Sequence, residues 1–226
     1  MSRHLLWLLL PVCGFLIWGA FRMDAPVRAA VVASHDKDWR KSGDFRLHSA
    51  VRLFGDWPPL MAACLVALVL ARVLKSRRWM RVIAAAMIAS TLSGMVGNVS
   101  RLTTGRTRPR ESPKIEQGFY GPWHDGKLLI GNSAYNSFPS GHTATAFGLA
   151  AVLFFACPAV GVVALAGAGL VAWSSIVLGA HHPSDITVSV LLSFFVAWFI
   201  WRWMSGPGGA WVEKLLRLRT VEHLIG

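Results

Sequence analysis

The sequence predicts an all-α protein, a six-transmembrane helical bundle, and three observations predict it. Of 226 residues, 54% are hydrophobic and only 15% carry charge, with a mean hydropathy of +0.48. A soluble domain of this length cannot hide that much apolar surface, whereas a bilayer is itself an apolar solvent. The apolar residues fall into six runs separated by charged segments, and eleven tryptophans accompany them. Tryptophan suits the membrane interface, with its N–H at headgroup level and its ring among acyl chains.

In order, the runs cover residues 5–21, 58–74, 82–99, 143–156, 160–178 and 186–203. The first follows Arg3 and His4 and closes at Arg22, with no small-x-small cleavage site, so it reads as a retained span rather than a signal peptide. Several runs sit near the lower limit of about 17 residues for a span. The run at 143–156 falls furthest short, and Phe138 and the Pro158–Ala159 pair extend it at its two ends. The charged stretch 23–57 contains segments suited to a helix lying along the membrane surface.

Orientation follows from the basic residues. The compact loop 75–81 holds Lys75, Arg77, Arg78 and Arg81 and no acid, which marks it as cytoplasmic. Both termini then lie in the cytoplasm. After Ser205 a breaker cluster, Gly206-Pro207-Gly208-Gly209, opens a tail in which Trp211, Leu215, Leu216, Leu218 and Val221 alternate with Lys214, Arg217 and Arg219. That pattern predicts a short basic amphipathic helix on the inner leaflet. With no internal repeat and no linker, residues 1–226 read as one domain.

The formal net charge is +12, yet the basic residues form no continuous stripe with interleaved aromatics, which argues against nucleic acid. Anionic headgroups or a phosphorylated substrate account for them. Cys13, Cys64 and Cys157 each lie in or beside an apolar run without CxxC or metal-ligand spacing, and read as small packing residues.

The predicted topology gathers three polar clusters at the outer end of the bundle, where polar groups beside lipid usually mark a functional site. Pro139-Ser140-Gly141-His142 starts a helix, so its free N–H groups and positive dipole end make an anion cradle. His142 can donate a proton there, or simply sit in a helix cap. In Gly179-Ala180-His181-His182-Pro183-Ser184-Asp185, a neutral imidazole at His181 is a good phosphoryl nucleophile when its other N–H is held by an acceptor. Asp185 can be that acceptor, or the N-cap of the last helix, and His182 reads as structural. Arg101, Arg106, Arg108 and Arg110 form the remaining cluster. Guanidinium forks hold phosphate oxygens, although Arg106 and Arg110 read better as a collar facing headgroups.

Arg101-x6-Arg108-Pro109, then Pro139-Ser140-Gly141-His142, then Ser174-x6-His181-x3-Asp185, in this order, resembles the type-2 phosphatidic acid phosphatase superfamily. The resemblance covers residues 82–203, with the first two helices fitting by topology alone. It implies that Arg101, Arg108, Ser140 and the Gly141 N–H hold the phosphate. It also implies that His181, oriented by Asp185, forms a phosphohistidine while His142 handles the proton. Neither metal nor cofactor is expected, since the clusters hold no carboxylate pair suited to Mg²⁺. The sequence departs from the family's pattern twice: Arg101 replaces the usual Lys, and Ser175 stands where the family carries a phosphate-binding Arg. Arg106 or Arg110 is a candidate substitute, with Ser175 itself a candidate supporting residue.

The implied function is dephosphorylation of a membrane lipid phosphate or diphosphate, at the periplasmic or outer face of a bacterial inner membrane. Plausible substrates by resemblance are a polyprenyl diphosphate, a lipid A phosphate, and phosphatidate or phosphatidylglycerol phosphate. The short loop 117–137 leaves room for large headgroups and favours the first two. A lipid phosphotransferase using the same intermediate is one alternative. A non-catalytic lipid-binding protein is the other, suggested by Ser175.

Overall fold

The computed structural model describes residues 3–112, 114–206 and 208, which form seven α-helices and a short hairpin. Helix α1, Arg3–Ser34, contains the first apolar run but continues beyond it, through Ala25, Ala29 and Ala30, all strong helix formers. Helix α2, Gly43–Leu53, starts at Ser42, whose hydroxyl accepts from the Phe45 N–H at 3.0 Å. A 52° bend joins it to α3, Trp57–Val73. Pro58 and Pro59 lie in the first turn of α3, where a missing N–H costs nothing.

Helix α4, Arg77–Thr104, is longer than its apolar run and ends at Gly105, whose φ of 56° needs a residue without Cβ. Helices α5, Gly141–Ala156, and α6, Pro158–Val177, are divided only by Cys157 in extended conformation. Helix α7, Pro183–Met204, completes the bundle. Residues from 209 onward, where the amphipathic tail helix is expected, lie outside the described set.

Among the described residues α4, α6 and α7 are long and apolar enough to cross a bilayer, and α2 with α3 makes a fourth span if the bent pair counts as one. The chain is an integral membrane protein. The expected six spans are narrowed by length: α5 has 16 residues and α3 has 17, at or below the usual minimum.

Small residues let the helices approach closely. Ala85, Ala86 and Ala89 of α4 meet Ala151 and Val152 of α5 and Ala197, Ile200 and Met204 of α7. A Cβ added at Gly148 would lie 2.9 Å from both the Ala89 carbonyl oxygen and Ser93 Oγ. Hydroxyls lock the same interface: Ser90 donates to the Thr145 carbonyl at 2.9 Å and Ser193 to the Ala144 carbonyl at 3.0 Å. One end of this rigid core carries the segment 105–140, including the hairpin β1, Trp123–His124, with β2, Lys127–Leu128. Its backbone is tied to the core where Arg110 N–H donates to the Gly179 carbonyl at 3.0 Å.

Candidate active site

The site is built on two adjacent helix starts. The Ser140 N–H lies 3.5 Å from the Asp185 carbonyl, which sets the beginning of α5 beside the first turn of α7. The Phe138–Pro139 peptide bond is cis. Ser140 is buried at the N-cap of α5, and its hydroxyl accepts from Thr143 Oγ1 at 2.9 Å. At Gly141 a Cβ would come within 2.9 Å of Asn98 Oδ1 and 3.2 Å of Arg101 Nη2. Glycine is therefore what lets the Arg101 guanidinium, itself bonded to Asn98, lie against the helix start.

His181 is buried in the turn before α7. Its Nδ1 stands 2.7 Å from the Ser137 carbonyl oxygen and 3.6 Å from Asp185 Oδ2. A carbonyl only accepts, so the ring proton is assigned to Nδ1 and the Nε2 lone pair is free. Nε2 is buried and makes no hydrogen bond among the described residues. The direct acceptor is thus Ser137 rather than Asp185, because Asp185 Oδ2 already takes the Ser137 hydroxyl at 2.5 Å and the His182 N–H at 2.7 Å. Desolvation lowers the His181 pKa to about 4; contact with Asp185 opposes this, while the charges of Arg108 and Arg52 reinforce it. The imidazole is therefore neutral at physiological pH, as a nucleophile must be.

Asp185 is the third residue of α7, with its carboxylate folded back to the helix start, and not the N-cap, which is His182. His182 Nε2 lies 3.1 Å from the Thr107 carbonyl and pins the 105–140 segment to α7. Burial lowers its pKa, against the opposing charge of Asp185.

Arg106 faces neither phosphate nor headgroup. Nη1 donates to Asp185 Oδ1 and to Ser184 Oγ (2.7 Å), and Nη2 to Asp24 Oδ2 at 2.5 Å. Phe21, Phe119 and Phe138 surround it at 5.2, 4.6 and 5.6 Å from Cζ. Arg110 also meets a carboxylate, its Nε lying 3.3 Å from Glu111 Oε1. Ser175 points away, its hydroxyl bonded to the Val171 carbonyl of its own helix at 2.9 Å. Its carbonyl accepts from the Ala180 and His181 N–H groups at 3.0 and 3.3 Å, shaping the turn that presents His181.

Arg108 is buried, and among the described residues it makes one bond, from Nη2 to the Asn136 carbonyl at 3.3 Å, while its Nε is buried without a partner. Burial, then the charges of Arg110, Arg52 and Arg101, lower its pKa to about 9. An anion among these groups would relieve that repulsion.

His142 has partners that the motifs do not include. Its Nε2 is 2.6 Å from Asp56 Oδ1, and its Nδ1 is 3.4 Å from Arg52 Nη2. Arg52, Asp56, Asp24, Asn98 and Ser137 were all missed by sequence reasoning. The available signals were an acid, Asp24, just past the first apolar run, and charges on both sides of Gly55.

Residues 82–207 match the family described as the PAP2 superfamily. Over 107 residues, 47% of this chain, it is 31% identical to a lipid A 1-phosphatase of Rhizobium johnstonii and 29% identical to one of Rhizobium etli. These stretches cover 40% and 42% of those proteins, so the chain matches less than half the length of these curated relatives. The crystal structure of Aquifex aeolicus LpxE has the same fold, with a TM-score of 0.52 at 19% identity over 79% of this chain and 94% of that one. A PAP2 type phosphatidylglycerolphosphate phosphatase from Bacillus subtilis superposes with a TM-score of 0.54 at 16% identity, over 85% of this chain and 92% of its own.

Two outcomes follow from this geometry. Nitrogen-detected NMR of the detergent-solubilised protein, with His181 assigned against His181→Gln, should show an Nδ1–H imidazole that is still neutral at pH 6. Protonation should appear only as pH falls toward 4, and a midpoint near 6.5 would contradict the burial argument. Arg106→Ala should cost about 3–5 kcal/mol in thermal unfolding, because it leaves Asp24 and Asp185 buried and unpaired. Arg108→Ala, which breaks no ion pair, should leave stability nearly unchanged.

Proposed function

Because the chain belongs to the PAP2 superfamily, we propose that it removes phosphate from a membrane lipid through a phosphohistidine on His181. The observation that carries this reading is the buried, unpartnered Nε2 of His181, with Nδ1 held by the Ser137 carbonyl. Arg101, Arg108, the Ser140 hydroxyl and the Gly141 N–H hold the phosphate oxygens. The Nε2 lone pair attacks phosphorus, the bond from phosphorus to the lipid oxygen breaks, and His142 protonates that oxygen as it leaves. His142 then takes a proton from water, the oxygen of that water attacks phosphorus, and the P–N bond breaks. The electron pair returns to Nε2, releasing inorganic phosphate. Asp56, at 2.6 Å, orients His142 and stabilises its imidazolium in both steps. Guanidinium groups and helix N–H groups neutralise the phosphoryl charge, so the reaction is proposed to need no metal.

Two features favour a lipid. An apolar cleft of about 360 Å³, lined by Val51, Phe54, Leu60, Ala146, Leu149 and Val171 among others, runs beside the bend that carries Asp56. The similarity to two lipid A 1-phosphatases also puts a lipid A phosphate ahead of the other candidate headgroups. We further propose six spans, with α1 and α5 crossing as well, both termini in the cytoplasm and the site at the periplasmic interface of a bacterial inner membrane.

Phosphate release by the purified protein tests the chemistry. The panel is lipid A, undecaprenyl diphosphate, phosphatidic acid and phosphatidylglycerol phosphate. Release from one of them should survive EDTA and disappear in His181→Ala; release that persists in that variant would refute the nucleophile. Topology is read in a cysteine-free background with a membrane-impermeant maleimide. Lys127→Cys should label in intact spheroplasts and Ser76→Cys only after lysis, and the reverse pattern would move the site to the cytoplasm.

A further inference from the structure

The bend between α2 and α3 lies outside the stretch that matches the family, yet it is built into the site. The Gly55 carbonyl accepts from Thr145 Oγ1, one turn along α5 from His142. A Cβ at Gly55 would lie 2.6 Å from Val171 Cγ1 and 2.9 Å from His142 Cβ. Only glycine lets the bend sit this close to His142. His48 Nδ1 meets Ser174 Oγ at 3.0 Å and His35 Nε2 meets the Val177 carbonyl at 2.8 Å, so the segment leading to the bend is fastened along α6. His48 and Arg52 are four residues apart on α2 and therefore share a face.

Resting on the phosphatase reading above, we propose that Arg52 is a phosphate-binding residue of this site and supplies the guanidinium that Ser175 does not. Among the described residues its Nε is buried without a hydrogen-bond partner, and its Nη2 has only the long 3.4 Å approach to His142 Nδ1. Its charge acts on both Arg108 and His181, as that of Arg110 acts on Arg108. Arg106 is engaged with two carboxylates, and Arg110 keeps one contact, from its Nε to Glu111 at 3.3 Å. The carboxylate nearest the bend, Asp56, is turned to the other side of the His142 ring. A guanidinium N–H can only donate, so Arg52 holds His142 with Nδ1 as acceptor and the proton on Nε2, facing Asp56. When a phosphate enters, Arg52 transfers its N–H donors to the phosphate oxygens. That frees Nδ1 to take up a proton from solvent water and pass it to the leaving oxygen.

The test measures orthovanadate affinity of the purified protein directly, and kcat and KM on whichever panel lipid the wild type hydrolyses. It compares wild type, Arg52→Lys, Arg52→Ala and the exposed-site control Lys114→Ala. Arg52→Ala should weaken vanadate binding about 10- to 100-fold and lower kcat/KM by about 100-fold or more. Arg52→Lys, which keeps the charge and is the variant to rely on if Arg52→Ala does not fold, should recover part of both losses. Lys114→Ala should change neither. If the wild type hydrolyses lipid and both Arg52 variants bind vanadate as it does, the assignment is overturned while the phosphatase reading stands. Reduced kcat with unchanged vanadate affinity would also overturn it, because Arg52 would then only orient His142. A wild type that neither binds vanadate nor releases phosphate would remove the phosphatase reading and this inference with it.

Discussion

A carboxylate with no exposure to solvent organises one end of this protein. Asp185 cannot remain charged in such a place unless every lone pair is met, and the structure meets them from three directions. Arg106 comes from the segment after α4, the Ser137 hydroxyl from the segment before α5, and the His182 N–H from the start of α7. Arg106 carries the same constraint one step further to Asp24 of α1, whose other oxygen accepts from the Ser184 N–H at 3.0 Å. One buried charge thus joins four separate parts of the chain. It also explains why the Ser137 carbonyl is positioned to hold His181: the same residue gives its hydroxyl to Asp185 and its carbonyl to the imidazole.

The arginines divide by their partners. Arg106 spends its charge on two carboxylates and sits within a cage of three phenylalanines, which makes it part of the framework. Arg101, Arg108 and Arg52 have little or no carboxylate compensation at their guanidinium groups, and they crowd the space around the two histidines. Their mutual repulsion is tolerable in a site whose occupant brings negative charge. The motif spacing alone does not separate these two groups, because Arg106 and Arg108 are only two residues apart.

Rigidity comes from below. Alanine, glycine and serine at the contacts of α4, α5 and α7 allow backbone-level packing, and cross-helix hydroxyl bonds fix the register of those helices. Because α5 and α7 are locked together along their length, their starts hold His142 and His181 in a fixed relation. The bend before α3 is then pressed onto α5 at Gly55, so the residues on either side of it belong to the same rigid unit.

The sequence by itself determined the membrane class and the helical character of every apolar run, and it set His142, His181, Arg101, Arg108 and the Ser140–Gly141 helix start in short motifs. These rest on local signals: long apolar runs, helix-start residues and short fixed spacings. Helix lengths were legible less well, since α1 and α4 continue past their apolar runs through mixed and charged residues, Pro26 of α1 included. Tertiary structure alone decided that Asp185 is paired to Arg106 and that Ser137 is the acceptor for His181. It also decided that Asp56 and Arg52 bracket His142 and that Ser175 turns back on its own helix. All but the last of these join residues far apart in the chain, up to 90 positions for Arg52 with His142. No local spacing encodes them, because the need to compensate a buried charge does not specify which distant segment will do it.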